Sequence, residues 1–375
     1  VYKRQADDIV LGGSYPSYTS VGSTVPVSLT WEKSTTYDVG LDLDFFNNRL
    51  SVSGDYYRRY TTDMYTPSIS LPSVYGTTSP KGNNAELRTT GWELSFTWRD
   101  SFKLGGKPFD YSIKAMVWDN RTVVTKYENA TRSLGTLKGY IQNGGSPSDF
   151  YEGMELGEMW GYTVAGLFRD QADIDSSATH DFTQASDKVT RPGQVKIADL
   201  DGNGFIDPGN FAVDDHGDLR IIGNQSPRYR YGVNLSARWN GIGLSVFLQG
   251  VMKRDWYPSP DSGYFWGKYA RPFMWVLGIH NYTDDMYSEE KNNWDTAYWP
   301  RMTTYQSNSS YSWTKLLEIP NTRYKQNAAY LRVKNIQVDY TFPKALCQKI
   351  RLGGLKIYLS GENLFTFTPL HKYAP

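Results

Sequence analysis

Alternating apolar and polar positions near the C-terminal end give the clearest structural signal in the chain. Two sets of residues alternate there: Leu355, Ile357, Leu359 and Gly361 against Lys356, Tyr358, Ser360 and Glu362. This period of two predicts a β-strand. The preceding run, residues 328–341, changes its apolar phase between Val333 and Ile336, which predicts a β-bulge. Each run exceeds the roughly 9–11 residues that a tilted strand needs to cross a bilayer.

Three further pairs of alternating runs precede this pair, at residues 31–64, 86–125 and 228–255. Their connections are short and contain Asn47 and Asn48, the segment 104–108, and Asn240 and Gly241. Asn and Gly tolerate the positive φ that tight hairpin turns require. We therefore predict antiparallel hairpins in one sheet with an apolar outward face. That face is predicted to include Trp92, Leu94, Phe96, Val233, Leu235, Leu244, Val246, Leu355, Ile357 and Leu359.

Long stretches without alternation separate the hairpins. Residues 66–84, 126–225 and 256–326 are rich in Gly, Pro, Ser, Asn or aromatic residues and are predicted to leave the sheet as loops. In outer-membrane barrels the short turns are periplasmic and the long loops extracellular. All three stretches then lie outside the cell. The fold class predicted for residues 1–375 is all-β, a single partial transmembrane antiparallel barrel of about eight strands.

Composition narrows the functional classes. The chain has 375 residues, 21% charged residues and a net charge of +1, so no strong field indicates nucleic acid as a partner. Aromatic residues make up 15%, which fits aromatic girdles or a sugar-contacting surface. The mean hydropathy is −0.55 and no run reaches 18 apolar residues, which excludes helical membrane spans. Cys347 is the only cysteine, so no disulfide forms within the chain.

Several strings resemble one family of outer-membrane transporters. The C-terminal string YLRVKNIQVDYTFPK…LKIYLSGENLF is similar to the last barrel hairpins of the SusC/RagA-type TonB-dependent transporters. The strings that begin WEKSTTYDVG, GEMWGYTVAGLFRD and SPRYRYGVNLSARWNGIGLSVFLQG are similar to further segments of that family, in the family's order. The resemblance implies a barrel of about 22 strands, of which this chain holds about eight. No signal peptide, plug or final strand is recognised, so we expect an internal piece of a longer protein.

The resemblance also implies a function. Members of the family import oligosaccharides or peptides across the outer membrane of Gram-negative bacteria and are not enzymes. A SusD-like surface lipoprotein caps the barrel, and the TonB complex acts through an N-terminal plug. The expected partners are therefore that lipoprotein, the TonB complex, outer-membrane lipid and an oligosaccharide or peptide ligand, without nucleic acid.

An acidic loop within 126–225 carries the sharpest local motif, DLDGNGFID. Asp199, Asp201, Asn203, Asp207 and the carbonyl of Phe205 match positions of an EF-hand-type calcium loop. Position 12 is Asn210, so the bidentate carboxylate is missing unless Asp214 or Asp215 replaces it. We predict a structural cation, Ca²⁺, because the resembling family often carries such a string here. A solvated acidic turn without a metal is the alternative.

Other polar residues form no catalytic pattern. Asp42, Asp44, Asp55 and Glu93 fall on the polar strand face, where they are predicted to line a wet lumen rather than to act as glycosidase acids. The four histidines, His180, His216, His280 and His371, have no metal-site or catalytic spacing. No enzymatic activity is predicted.

Aromatic residues crowd the loop 256–326. Aromatic rings stack on sugars and build protein interfaces, but they also form a loop's own core, and composition does not separate these roles. The residues predicted for a ligand or partner surface are Trp256, Trp266, Trp275, Trp294, Trp299 and Trp313.

Two other functional classes remain as alternatives. A secreted, calcium-binding carbohydrate-binding module or glycosidase would share the aromatic residues and the acidic loop, but it would bury its apolar strand faces between two sheets. A TonB-dependent receptor for siderophores or cobalamin would share the barrel, but it does not account for the WEK and NLF strings.

Overall fold

The computed structural model describes residues 2–5, 17–20, 29–67, 81–135, 144–180, 189–258, 285–301 and 319–370. Within these ranges the strands are β1 Tyr2–Gln5, β2 Ser17–Ser20, β3 Lys33–Phe45, β4 Leu50–Pro67, β5 Lys81–Leu104, β6 Lys107–Lys126, β7 Glu158–Gly161, β8 Val164–Leu167, β9 Thr179–His180, β10 Val195–Ile197, β11 Phe205–Ile206, β12 Arg220–Asn224, β13 Arg228–Trp239, β14 Ile242–Lys253, β15 Asp255–Trp256, β16 Gln326–Asn327, β17 Tyr330–Thr341 and β18 Lys356–Phe367. The helices are short, Gln171–Asp175 and Lys344–Lys349.

Eight long strands form one antiparallel sheet in the order β18-β17-β14-β13-β6-β5-β4-β3. The strands run up and down in chain order, which is the topology that the four alternating hairpins predicted. Strands β3 and β18 are the edges of this sheet, and the sheet does not close on itself within the described part of the chain. The prediction of an all-β, partial antiparallel barrel of about eight strands is confirmed.

Short connections join the strands at one end of the sheet, which we call the short-turn end; the opposite end is the loop end. Asn47 and Asn48 have φ of 55° and 65°, and Asn240 and Gly241 have φ of 50° and 86°. Both pairs lie in the left-handed region that tight hairpin turns need. The connection between β17 and β18 instead contains the helix Lys344–Lys349, which the sequence reading did not predict.

The strand register separates an apolar face from a polar face. One row of paired positions on the apolar face is Leu43, Val52, Phe96, Ala115, Val233, Leu248, Val333 and Phe365. The next row, on the polar face, is Asp42, Ser53, Ser95, Met116, Gly232, Gln249, Arg332 and Thr366. The predicted bulge lies between Val333 and Asn335, where the register shifts. Leu355 precedes β18 and lies in the connection, not on the strand as predicted.

The apolar face is open rather than packed. Val39, Leu41 and Leu359 are 75%, 61% and 79% exposed. A secreted sandwich would bury these side chains against a second sheet. Among the described residues no second sheet covers them.

The loops at the loop end share one buried core, which we call the loop subdomain. It combines residues from the described parts of 126–225 and 256–326 with Val124 of β6. Its fully buried members include Leu134, Met159, Tyr162, Trp299 and Tyr324. The sequence reading treated the two loops as separate excursions, whereas the structure packs them against each other. Two-stranded pairs β7–β12, β8–β10, β9–β11 and β15–β16 support this core.

No helix in the described part of the chain combines the length and the apolar character needed to span a membrane.

Candidate functional site: the polar sheet face and the loop subdomain

Acidic side chains lie on the polar face of strands β3, β4 and β5. Asp55 pairs in register with Glu93, and Asp42 and Asp44 lie on the neighbouring edge strand. Gly40 lies opposite Asp55 and leaves the space that its carboxylate occupies. Asp42, Asp44, Asp55 and Glu93 are all exposed, as expected for a wet surface rather than for a buried catalytic pair.

Basic side chains lie on the polar face of strands β6, β13 and β17. Lys114, Arg230 and Arg332 face the same side as the carboxylates, at the register positions that continue their rows. The polar face therefore carries charges of both signs, with a carboxylate cluster on β3 to β5 and cations, beside Asp339, toward β17. Such a wall attracts hydrated and charged solutes of either sign, at different positions along it.

A cavity of about 850 Å³ lies on the polar face near the short-turn end. Its floor contains serines of adjacent strands, Ser112, Ser236 and Ser245. At its margin the Lys356 Nζ is 3.2 Å from the Asp339 carboxylate. The lining combines these serines with charged side chains, including Arg99, Asp110 and Arg238, so the cavity is polar.

An ion-pair cluster joins the loop subdomain to the sheet at the loop end. The Arg228 Nε donates to the buried Asp119 carboxylate at 2.7 Å, and its Nη1 lies 3.3 Å from Glu155. The Arg121 Nε donates to the same Glu155 at 3.0 Å. Since Arg121 and Arg228 belong to β6 and β13, Glu155 fixes the loop to two strands at once.

Backbone hydrogen bonds reinforce this junction. The Val124 N–H donates to the Met154 carbonyl at 2.8 Å, and the Leu156 N–H donates to the Thr122 carbonyl at 2.9 Å. Strand β13 pairs with β6 only up to Trp118. The loop thereby pairs with the part of β6 that β13 leaves unpaired. The backbone N–H and C=O groups in that part of β6 therefore have hydrogen-bond partners.

The predicted acidic loop is tightly turned by its own side chains. The Asp199 carboxylate accepts from the Gly202 N–H at 2.6 Å and from the Gly204 N–H at 3.0 Å. The Asp201 carboxylate accepts from the Asn203 N–H at 3.0 Å. The backbone N–H groups around Asp199 hold the pKa of its carboxyl below the usual range, because they stabilise the ionised form.

Asp218 joins this loop from outside the motif. One oxygen each of Asp199, Asp201 and Asp218 lies within 4.8 Å of the others. Asp218 is fully buried and accepts from the Leu200 N–H at 2.7 Å and the Asp207 N–H at 3.0 Å. Burial raises the pKa of Asp218, and the charges of Asp201 and Asp199 raise it further. Sequence reasoning missed this residue because it lies outside the calcium-loop spacing.

The other predicted ligands take different positions. The Asp207 carboxylate accepts from the Gly209 N–H at 2.6 Å, and its second oxygen lies 3.3 Å from the Asn203 Nδ2. Asp214 pairs with Arg132, and Asp215 accepts from Asn210, so neither completes the loop as the sequence reading allowed. The Phe205 N–H donates to the Asn203 Oδ1 at 2.7 Å. The donor set thus fits a cation in part, through three carboxylates.

Trp299 is a core residue, which corrects its prediction as a surface residue. Its ring stacks on Tyr324 at 5.4 Å with an interplanar angle of 16°, and it is fully buried. Trp294 packs partly buried against the same core, and Trp256 lies half-buried in β15. Trp266, Trp275 and Trp313 lie outside the described residues, as do His280 and His371.

A buried carboxylate lies in the same subdomain. The Glu158 Oε1 accepts from the Trp160 Nε1 at 3.0 Å and from the Tyr151 hydroxyl. Burial raises the pKa of Glu158, against the lowering effect of these two donors, and the nearby Glu155 raises it further. Because Tyr151 and Trp160 both donate hydrogen bonds to it, the Glu158 carboxylate is assigned a structural role.

Sequence comparison identifies the family of this sheet. The profile of the family described as "TonB dependent receptor-like, beta-barrel" matches residues 6–203, more than half of the chain. The chain belongs to the TonB-dependent receptor β-barrel family. The SusC/RagA-type resemblance of its sequence strings is supported by its similarity to SusC.

Curated relatives match different shares of this chain. It is 27% identical to TonB-dependent receptor P3 of Formosa agariphila over 91% of this chain and 30% of that protein. It is 29% identical to TonB-dependent receptor SusC of Bacteroides thetaiotaomicron over 49% of this chain and 16% of that protein. The chain thus spans about a third or less of the curated relatives it matches.

Solved structures share the fold of this receptor. The structure described as "Structure of the RagAB peptide transporter" superposes with a TM-score of 0.64 at 20% identity, covering 99% of this chain and 36% of that one. The RagAB peptide importer in the "open-open" state gives the same TM-score at 19% identity. At this identity the likeness establishes the architecture only. The relatives are receptors rather than enzymes, and the chain is assigned to a non-enzymatic family accordingly.

Proposed function

We propose that this chain is part of the wall of a TonB-dependent importer in the outer membrane of a Gram-negative bacterium. The observation that carries the proposal is the two-faced sheet, because one face is apolar and exposed while the other is polar and charged. An exposed apolar face of this extent suits lipid, and the polar face suits a water-filled lumen. Membership of the TonB-dependent receptor family supports this location.

The orientation follows from the connections. The short turns around Asn47 and Asn240 would face the periplasm, and the loop subdomain would face the cell exterior. The aromatic residues at the short-turn end, including Trp98, Phe102, Phe109, Tyr111 and Trp239, would then form the periplasmic girdle.

The cargo is proposed to be an oligosaccharide or a peptide, handled with a SusD-like surface lipoprotein and powered through TonB. Similarity to SusC and to a peptide importer supports both cargo classes. The mixed charge of the polar face is compatible with hydrated ligands of either kind. A charged peptide would find acidic positions at Asp55 and Glu93 and basic positions at Arg230 and Arg332.

Growth of the host on defined nutrients tests this proposal. Deleting the full-length gene should abolish growth on one oligosaccharide or peptide mixture as the sole carbon source, and the wild-type gene should restore it. Collapsing the proton gradient should stop uptake of the labelled nutrient by wild-type cells without releasing the receptor from the membrane. Unchanged growth on every oligosaccharide and peptide mixture tested would contradict the assignment as a nutrient importer.

A cation in the acidic loop is a second proposal. Three carboxylates, Asp199, Asp201 and Asp218, face one another, and their mutual repulsion would be relieved by a divalent ion. Oxygen-only donors suit Ca²⁺. Its role would be to fix the acidic loop within the loop subdomain.

The remaining part of 256–326 is proposed to contribute to the lipoprotein interface. Trp299 is excluded from that surface by its burial, whereas the partly buried Trp294 and the half-buried Trp256 remain candidates together with Trp266, Trp275 and Trp313. Deletion of 263–312, an obvious test of this role, would remove Trp299 from the core. A sharper test is the substitution Trp294→Ala, which should weaken co-purification of the lipoprotein. The control is a measurement that the loop subdomain stays folded in this variant.

A further inference from the structure

Two arginines lie on the apolar side of the sheet, just beyond its apolar positions at the loop end. Along β5 the outward positions run from Phe102 and Asp100 through Trp98, Phe96 and Leu94 to Trp92, then to Thr90 and Arg88. On β4 the outward positions end with Tyr56, Arg58 and Tyr60. No register shift interrupts the pairing between residues 50–61 of β4 and 87–98 of β5, so Arg58 and Arg88 face the same side as Leu94.

The height of the apolar band places these arginines at a boundary. Between the level of Asp100, which pairs with Arg49 near the short-turn end, and the level of Thr90, which lies opposite Arg58, the strand extends about 34 Å. A tilt of roughly 40° reduces this to about 26 Å. This is close to the height of the lipid-facing band in outer-membrane barrels, about 25 Å. The next outward residues on the loop side, Arg58 and Arg88, are therefore at the level of lipid headgroups.

The two arginines occupy neighbouring positions on the outward side of the sheet. Arg58 pairs in register with Thr90, and Arg88 pairs with Tyr60, so the arginines are diagonal neighbours on adjacent strands. Diagonal neighbours on one face of a sheet are separated by about 7–8 Å. Both side chains are exposed, and two adjacent cations repel each other unless an anion lies between them.

The acidic residues nearby are already paired. Lys33 pairs with Asp63, Lys126 with Glu86, and Arg121 with Glu155. Among the residues that the structure describes, neither Arg58 nor Arg88 has a carboxylate partner. The Arg58 guanidinium has the side chains of Tyr56 and Tyr60 as hydrogen-bond partners, with its Nη2 3.4 Å from the Tyr56 hydroxyl. The outward surface is thus left with two adjacent, uncompensated positive charges.

Aromatic rings surround the pair. Tyr37 lies opposite Arg58 and packs edge-on against Tyr60 with ring centroids 6.3 Å apart. Tyr37 and Tyr56 are 66% and 47% exposed on the same side. Tyrosines at this level place an apolar ring in the acyl region and a hydroxyl among headgroups, so the surface is built for the edge of a bilayer.

We propose that Arg58 and Arg88 form a binding site for the phosphate of a lipid headgroup in the outer leaflet of the membrane. The proposal rests on the membrane placement argued under the proposed function. A phosphate accepts hydrogen bonds from two guanidinium groups in fork geometry, which offsets their repulsion, while its acyl chains lie along Leu94 and Phe96. The site recognises a phosphorylated lipid and not the imported cargo, since it is on the opposite side of the sheet from the polar face.

The test uses the full-length receptor purified in a neutral detergent. Binding of bisphosphorylated lipid A is measured by native mass spectrometry, beside dephosphorylated lipid A and inorganic phosphate as competitors. Wild-type protein should retain the phosphorylated lipid, and R58Q/R88Q should bind it about tenfold more weakly or worse, since each lost arginine removes charged hydrogen bonds.

The matched control is R59Q/R99Q, which removes two arginines from the same two strands on the opposite face. Arg59 donates to Thr36 and Arg99 lines the cavity of the polar face, so this variant should bind the lipid like wild type. Equal loss in both double variants, equal retention of dephosphorylated lipid A, or wild-type binding by R58Q/R88Q would each overturn the proposal. Displacement of the lipid by millimolar inorganic phosphate would do the same, because the site would then select free phosphate.

The outcome is separable from that of the proposed function. Lipid retention is read from purified protein, whereas import is read from growth and uptake in cells. R58Q/R88Q is expected to reach the membrane and to support growth on the imported nutrient. A receptor that binds the lipid but imports nothing would contradict the importer assignment alone.

Discussion

The eight-stranded sheet and the loop subdomain satisfy their apolar residues in opposite ways. On the sheet, Val39, Leu41 and Leu359 stay exposed, whereas in the subdomain Trp299, Tyr162 and Tyr324 are fully buried. The sheet depends on an external apolar medium, while the subdomain carries its own core. The chain thus joins a sheet with an open apolar face to a subdomain with a closed apolar core, through the ion pairs of Arg228 with Asp119 and Glu155.

The largest expected effect separates the two regions by breaking the subdomain core. Trp299→Ala should cost about 3–5 kcal/mol, because it leaves a cavity beside Tyr324. Hydrogen exchange of the full-length receptor should then lose protection in β7 and β12 while β13 and β14 stay protected. Trp294→Ala, at a partly buried position, is the control and should cost less. Equal loss of protection in the long strands would show that sheet and subdomain unfold together.

The next largest effect is expected from a charge placed on the apolar face. Leu94→Arg should destabilise the receptor in a bilayer by about 2–4 kcal/mol, since it places a cation at the level of the acyl chains. Ser95→Arg makes the same change on the adjacent residue of the polar face and should be nearly neutral. Chemical unfolding in lipid vesicles measures both variants. Equal destabilisation by the two would mean that the faces are not distinguished by their surroundings.

A smaller effect concerns the proposed cation. At a Ca²⁺ concentration one hundred times the dissociation constant, a single site would stabilise the subdomain by about 2.7 kcal/mol. A chelator should therefore increase hydrogen exchange around residues 199–218 in the wild type and have no such effect in Asp218→Asn. Asp214→Asn, at an exposed carboxylate that pairs with Arg132, is the control and should respond like the wild type. If the chelator changes nothing in the wild-type receptor, the acidic loop is a turn without a metal.

The smallest expected effect is a pH dependence within the subdomain. The folded-state pKa of Glu158 is raised by burial, so the protonated form favours the folded state. Its contribution is fully present below the unfolded-state pKa and is lost as the pH rises through the folded-state value. Glu158→Gln should flatten this dependence while still accepting from Trp160, and the exposed Glu152→Gln should leave it unchanged. Thermal unfolding followed across pH 4–8 measures this pH dependence. Parallel curves for wild type and Glu158→Gln would show that Glu158 does not cause it.

The sheet was predictable from sequence, because period-two alternation and turn residues such as Asn240 and Gly241 act locally. The bulge after Val333 and the antiparallel order follow from these signals. The strand bounds follow only in part, because β5 begins at Lys81, within the stretch 66–84 that was predicted as a loop. The subdomain was not predictable in the same way, since its contacts join distant segments. The Tyr162 N–H donates to the Pro320 carbonyl at 2.9 Å, a pairing that no local period encodes.

The same distinction between local and long-range signals applies to the candidate site. The carboxylates of the polar face were placed correctly by alternation, whereas Asp218 and Trp299 were misjudged. Asp218 reaches the acidic loop only through the fold of the intervening chain, and aromatic composition does not reveal which ring is buried. Residues whose role depends on long-range packing therefore require the structure.

The central claim, that lipid covers one face of the sheet and water the other, is tested most directly by spin-label accessibility along β5. Single cysteines would replace each residue of 92–97 in the full-length receptor carrying Cys347→Ser, reconstituted in lipid vesicles. Accessibility to oxygen should peak at Trp92, Leu94 and Phe96, and accessibility to a water-soluble nickel complex should peak at Glu93 and Ser95. The same phase for both reagents, or no alternation at all, would contradict the account.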